Sequence, residues 1–156
     1  MADLQTTAAL QAALNDEQQA LTQLLPQIDD ATWQGGKRAD GWTVHDIVAH
    51  MADSTYGLSL LVLGEVKPSL ELDERGWLKA DGHNAERRAK LAALPRAKIE
   101  SRLQASFDYA RRAIDATSDL NAPGPYGAIH TRGRWLNRIV EHVREHRGEL
   151  EKLLAV

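Results

Sequence analysis

The sequence predicts an all-α fold, a single-domain four-helix bundle with longer connections after its second and third helices. Three observations carry that reading: several long segments repeat apolar residues at helical spacing, none alternates as a half-buried strand would, and glycine and proline gather between those segments. At 156 residues the chain has the size of one domain over 1–156 and can bury a substantial core.

The first helix is expected from about Asp3 to Ile28, where Leu10, Leu14, Leu21, Leu25 and Ile28 share one stripe. Pro26 falls near its end, and Trp33, Gly35 and Gly36 belong to the connection that follows. The second helix has the clearest start. Thr43 can accept a hydrogen bond from the amide of Asp46, and Trp42 is placed to pack on Ile47, a capping box with Asp instead of Glu or Gln. Ile47, Val48, Met51, Leu58 and Val62 form its apolar face, and Gly64 closes it. His50 borders that face, whereas His45 is expected on the opposite, solvent side.

Residues 65–83 contain Pro68, Gly76 and Gly82 without a sustained period, which predicts a long loop with a helical turn near Trp77. Loops of this length are often functional covers. A short helix from about Asn84 to Leu94 follows, and Pro95 suits the first turn of the third long helix, which carries Ile99, Leu103, Phe107, Ala110 and Ile114 on one stripe. Ser118 to Gly133 breaks regular structure. The last helix then begins near Arg134 and buries Trp135, Ile139, Val143, Leu150 and Leu153, with His142 and His146 within that stripe or on its edge.

Composition narrows the chemistry. With Cys 0 there is no disulfide, thiolate metal site or protein thiol nucleophile, so a metal would be held by nitrogen and oxygen. A net charge of −3 supplies no general attraction for nucleic acid, and Arg144 and Arg147 alternate with Glu141, Glu145 and Glu149 as on a solvated helix face. The apolar run from Leu58 to Leu63 is too short to span a membrane and no signal segment is visible, so a cytoplasmic protein is expected. Gly36-Lys37 is no phosphate loop, since Ala31 and Arg38 stand where glycine and Ser or Thr are required.

The histidines carry the functional signal. His142 and His146, four residues apart on a helix, present their rings on one face one turn apart and suit chelation of a single ion. An equally simple reading has them partly buried and hydrogen-bonded to Glu145, Glu149 or a facing helix, and the spacing alone favours neither. His50 adds weight to the metal reading, because three nitrogens from two helices match the way bundles assemble metal sites. Such a site leaves a coordination position open, as catalytic zinc sites do. Zinc is the first expectation and nickel the second. Asp53, Ser54, Glu145 and Glu149 are the nearest polar residues in sequence for the outer ring nitrogens. His45 and His83 read as surface or capping residues, and His130 as part of a flexible loop.

The run Gly41-Trp42-Thr43-Val44-His45-Asp46-Ile47-Val48-Ala49-His50, with the later Trp135-Leu136 and His142-Val143-Arg144-Glu145-His146-Arg147-Gly148-Glu149-Leu150, resembles the DinB/YfiT-like superfamily of metalloenzymes. Relatives of that superfamily include the amino-terminal domain of mycothiol-dependent maleylpyruvate isomerases. The resemblance implies a four-helix bundle whose tryptophan-led helix gives one metal ligand and whose last helix gives two, here His50, His142 and His146. It also implies transfer or isomerisation with a low-molecular-weight thiol, or metal-assisted hydrolysis of a reactive electrophile. The carboxy-terminal domain of the maleylpyruvate isomerases has no counterpart in this sequence, so that particular reaction is not expected.

Three functions compete at this level. The first is a metal-dependent enzyme that activates a small thiol or water against an electrophilic small-molecule substrate, with Arg75, Lys79, Arg87, Arg132 and Arg134 as candidates for binding carboxylates. The second is a protein that binds or sequesters a small molecule without turnover. The third is a structural bundle with buried histidines, assembled as a homodimer through exposed apolar parts of its first or third helix.

Overall fold

The computed structural model describes residues 2–155 and is mainly helical. The order is α1 (Thr7–Leu24), a 3-10 turn (Leu25–Gln27), α2 (Asp30–Gly35), α3 (Val44–Leu63), α4 (Asp81–Leu91), α5 (Arg96–Asp115), β1 (Pro123–Gly124), β2 (Gly127–Thr131) and α6 (Arg132–Leu154). Helix α3 is the central element and packs along α5 and α6, α1 packs against the same two helices, and α4 lies over α3. The core is one apolar cluster running from Leu10 in α1 through Ile47 and Met51 in α3 and Phe107 in α5 to Trp135 and Leu150 in α6.

Helix α1 is shorter than its apolar stripe. Thr6 adopts an extended conformation and accepts from the amide of Ala9, so the helix starts at Thr7. At the other end Pro26 enters the first turn of the 3-10 segment, which carries Leu25 and Ile28 into the core outside the α-helix. The connection around Trp33 is itself helical: Asp29 caps α2 through the amide of Thr32, which swings the Trp33 ring into the core.

The capping box at α3 forms as expected, with Thr43 accepting from Asp46 and the Asp46 carboxylate accepting from the Thr43 amide. Gly64 ends the helix at φ 73°, a conformation that disfavours any side chain. Pro95 stands just outside α5 as its extended N-cap, one residue before the first turn, because the carbonyl of Pro95 already accepts the first helical bond from Ile99. Helix α4 begins at Asp81 and α6 at Arg132, where Thr131 caps by accepting from the Arg134 amide.

Two connections depart from expectation. The segment near Trp77 is a tight turn, not a helical one: the Asp73 carboxylate accepts from the amides of Arg75 and Trp77, and Leu72 bridges Leu78 across it. The stretch from 118 to 133 contains a small antiparallel hairpin, β1 against β2. It lies on α6 because residue 124 is glycine. A Cβ there would come within 2.5 Å of the Trp135 ring. No helix among the described residues is long and apolar enough to cross a membrane.

Candidate metal centre

Helix α3 sets His50 near its middle, and α6 packs alongside with His142 and His146 on the facing side. The three rings meet edge to face, with centroids 5.1 Å apart for His50 and His142, 4.9 Å for His50 and His146, and 4.4 Å for His142 and His146. One ring nitrogen from each lies within 4.8 Å of the others. The closest pair, Nε2 of His142 and Nε2 of His146, is 3.0 Å apart.

The outer nitrogens are held unequally. Nδ1 of His146 donates to the Glu149 carboxylate at 2.7 Å, which turns its Nε2 lone pair toward the other two rings. The Ser54 hydroxyl lies 3.2 Å from Nδ1 of His50, and Trp42 packs edge-on against the His50 ring at 5.4 Å. Nδ1 of His142 is buried with no protein partner. Glu145 instead pairs with Arg138 and Asp53 with Arg87, so neither holds a ring nitrogen of the trio. Glu149 also accepts from Arg38 at 3.0 Å. Burial would raise its carboxyl pKa, but the His146 ring and Arg38 outweigh that and keep it ionised.

Burial, followed by the neighbouring His146, pushes the His50 pKa down to about 4. Burial again, then His146 and His50, pushes His142 down to about 2. These two rings are therefore neutral at physiological pH, the form in which imidazole binds a metal.

The donor set fits a divalent ion. Two ligands at about 2.0–2.1 Å from a tetrahedral zinc stand roughly 3.4 Å apart, close to the 3.0 Å between the two Nε2 atoms of α6, while the widest spacing in the trio, 4.8 Å, requires a rotation of the His50 or α6 rings to close on one ion. The set is all nitrogen, within the nitrogen and oxygen donors open to a chain without cysteine.

His50 and His142 line a cleft of about 400 Å3. Its apolar and aromatic wall is made by Leu58 and Leu61 from α3, Leu70 and Trp77 from the segment after α3, Tyr126 from the hairpin and Trp135 from α6, and polar groups including Asp53, Ser54 and Asp81 complete the lining. The Tyr126 hydroxyl donates to the carbonyl of Leu70 at 2.7 Å, and His130 stacks on Trp77 at 4.0 Å while its Nε2 donates to the carbonyl of Arg75. The hairpin and the preceding loop are thereby fastened together as a roof. His130 is part of this fastening and not of a loose loop.

The remaining sequence candidates divide. His45 is buried, not solvent-facing: the Trp33 indole donates to its Nδ1 at 2.8 Å and its Nε2 donates to the carbonyl of Leu91 at 3.1 Å. It ties α2, α3 and the end of α4 together. His83 lines the cleft but stands outside the trio. Arg87, Arg134 and Lys79 face Asp53, Asp3 with Glu141, and Glu71, and Arg132 donates to the carbonyl of Val62. The cations on the cleft wall are Lys67 and Arg138, which sequence reasoning did not single out. Tyr126, His83 and Asn84 also line it without having been named as site residues; they lie in connections or at a helix start, where no periodic pattern points inward.

No curated protein and no solved structure gave a match to this chain. A family model described as the DinB superfamily matches residues 13–150, a span that takes in α3, most of α6 and all three histidines. This chain belongs to the DinB superfamily.

Proposed function

We propose that this protein is a metal-dependent enzyme that activates water or a low-molecular-weight thiol for attack on a small electrophilic substrate. The observation that carries the reading is the convergence of three imidazoles, two of them held neutral by burial and lining a largely apolar cleft. His50, His142 and His146 would hold the ion, zinc first and nickel second. Once bound there, a divalent ion supplies a Lewis-acidic position at which a water or thiol is deprotonated near neutral pH.

The protein's own groups do the rest. Glu149 fixes the tautomer and rotation of His146, and Ser54 and the Trp42 edge restrain His50. Trp77, Tyr126 and Trp135 offer an apolar surface for the body of a substrate and displace water from the side of His50 and His142 that faces the cleft. The same reading takes the chain as one domain whose α1, α3, α5 and α6 form a four-helix bundle, supported by the packing of α1 and α3 on both α5 and α6.

Elemental analysis of the purified protein, followed by turnover assays with bacillithiol, mycothiol, glutathione or water and model epoxides, tests this. About one metal per chain and metal-dependent turnover with one of these nucleophiles is the expected result. Trace metal together with a melting temperature indifferent to chelators would overturn the metal centre. A metal-loaded protein inert toward the whole panel would overturn the catalytic reading and leave binding without turnover.

A further inference from the structure

The trio can be reached from a second direction. A separate cleft, also about 400 Å3, is lined by His50 and His146 and shares with the first only His50, Asp81 and Asn84. Asp81 and Asn84 sit in the first turn of α4, which therefore stands between the two approaches. The first cleft is lined by His50 and His142, the second by His50 and His146.

The two clefts differ in their balance: the first carries Asp53, Lys67 and Arg138 but has a broad aliphatic and aromatic wall, and the second has almost none beyond Trp42. The second is walled by Arg38, Asp40, Trp42, Asp81, Asn84 and Arg88, with no aliphatic side chain larger than that of Ala85. Its guanidinium groups lie over the Trp42 ring at 4.8 Å for Arg38 and 5.2 Å for Arg88. Both are fixed by carboxylates, Arg38 by Asp40 at 2.6 Å and Glu149 at 3.0 Å, and Arg88 by Asp46 at 3.0 Å. Positive and negative groups thus alternate around an aromatic face. An apolar molecule there would strip water from these groups and return no hydrogen bond. A molecule carrying both ammonium and carboxylate groups can replace that water with charge-assisted bonds. In the first cleft the preference is reversed, because Leu58, Leu61, Trp77 and Trp135 gain from excluding water.

We propose that the two clefts admit two different reactants to the same trio: an apolar electrophile through the Trp77–Trp135 cleft, and a small polar reactant of amino-acid character through the Arg38–Arg88 cleft. This rests on the metal reading above. It adds that the site is a meeting point of two entrances and not the end of one pocket.

Steric plugs test each entrance separately. Gly57 lines the first cleft, and a Cβ at that position meets no atom within 4 Å, so Gly57→Phe fills the cleft from a helix without a backbone clash. Ala85 lines only the second, where Ala85→Phe is the matching plug. The cobalt(II)-loaded protein is titrated with benzyl mercaptan, an apolar thiol, and with glutathione, a polar one, and the thiolate-to-cobalt absorption band is followed. Gly57→Phe is expected to weaken benzyl mercaptan by about tenfold or more and to leave glutathione within about twofold, and Ala85→Phe to do the reverse. Gly57→Leu replaces the first plug if the phenylalanine variant does not fold. If both plugs weaken both thiols alike, if neither changes either, or if cobalt binds and no thiol band appears, the two-entrance proposal is overturned while the metal centre stands. A wild-type protein that takes up no cobalt overturns the metal centre and this proposal with it.

Discussion

Lowering the pH from 7 to 5 should destabilise the metal-free protein by an amount set by His50 and His142. The depressed values of about 4 for His50 and about 2 for His142 compare with 6.5 for a free histidine. A histidine held neutral in the fold takes its proton only when the chain unfolds. Between its folded and unfolded pKa the unfolded state binds more protons, so stability is full above the unfolded value and falls as the pH drops through that window. At pH 5 each ring costs about RT ln(1 + 10^1.5), about 2 kcal/mol, and this barely depends on the folded value so long as it lies near 4 or below. The two together come to about 4 kcal/mol, a large share of the roughly 5–15 kcal/mol that holds a domain together. Glu17 and Glu149, whose pKa values are lowered, act in the opposite half of the scale. Their contribution is present above the unfolded value of about 4.5 and is lost only as the pH falls further, so at pH 5 each withdraws about 0.2 kcal/mol at most. The assay is urea unfolding of chelator-treated protein at pH 7 and pH 5, for wild type and for the double variant His50→Leu, His142→Leu, which cannot titrate at those positions. The wild type should lose most of the 4 kcal/mol and the double variant little of it. An unmoved midpoint in the wild type, or an equal loss in the variant, would refute the reasoning.

Further predictions concern single side chains. His146→Ala should remove most bound metal, whereas His45→Ala should keep it and cost about 2–4 kcal/mol of stability, because the buried Trp33 indole and Leu91 carbonyl lose their partner; elemental analysis and urea unfolding separate the two effects. Equal metal retention by both variants would contradict the assignment of His146 as a ligand. Glu149→Gln weakens its hold on Nδ1 of His146 and should lower metal affinity by about tenfold or more, read by competition with a chromophoric chelator; unchanged affinity would remove Glu149 from the centre. Glu17 is buried between Arg144 and Arg147 and joins α1 to α6, so Glu17→Ala should cost about 2–3 kcal/mol in urea unfolding with metal content unchanged.

The long helices and the histidine trio were legible in the sequence because both rest on periodicity. A stripe repeated every three or four residues specifies a helix and its buried face, and residues His142 and His146 inherit their shared direction from the same repeat. Placement failed where periodicity carries no information. His45 lies opposite the main apolar stripe of α3, which would be the wet side of a peripheral helix. Helix α3 is central, so consecutive residues from Val44 to Ala49 are buried and the face opposite the stripe is also interior. The turn at Trp77 and the hairpin at 123–131 are fixed by side-chain and cross-chain contacts, namely Asp73 accepting two amides and Gly124 lying on Trp135. Such contacts leave no local pattern. The cleft wall was equally hidden, since Tyr126 and Trp77 meet it only once the roof has closed.

The fastening of the roof divides the labour between parts of the chain. Tyr126 and His130 pin the connection after α3 through the main-chain oxygens of Leu70 and Arg75, so the latch is indifferent to the side chains those two residues carry. Leu70 and Arg75 can therefore be exchanged while the latch, the helices and the histidines stay as they are, whereas Asp73, Gly76 and Trp77 are held by the turn and by the His130 ring. A lineage could reshape the cleft wall by changing such positions, with the three histidines inherited unaltered underneath.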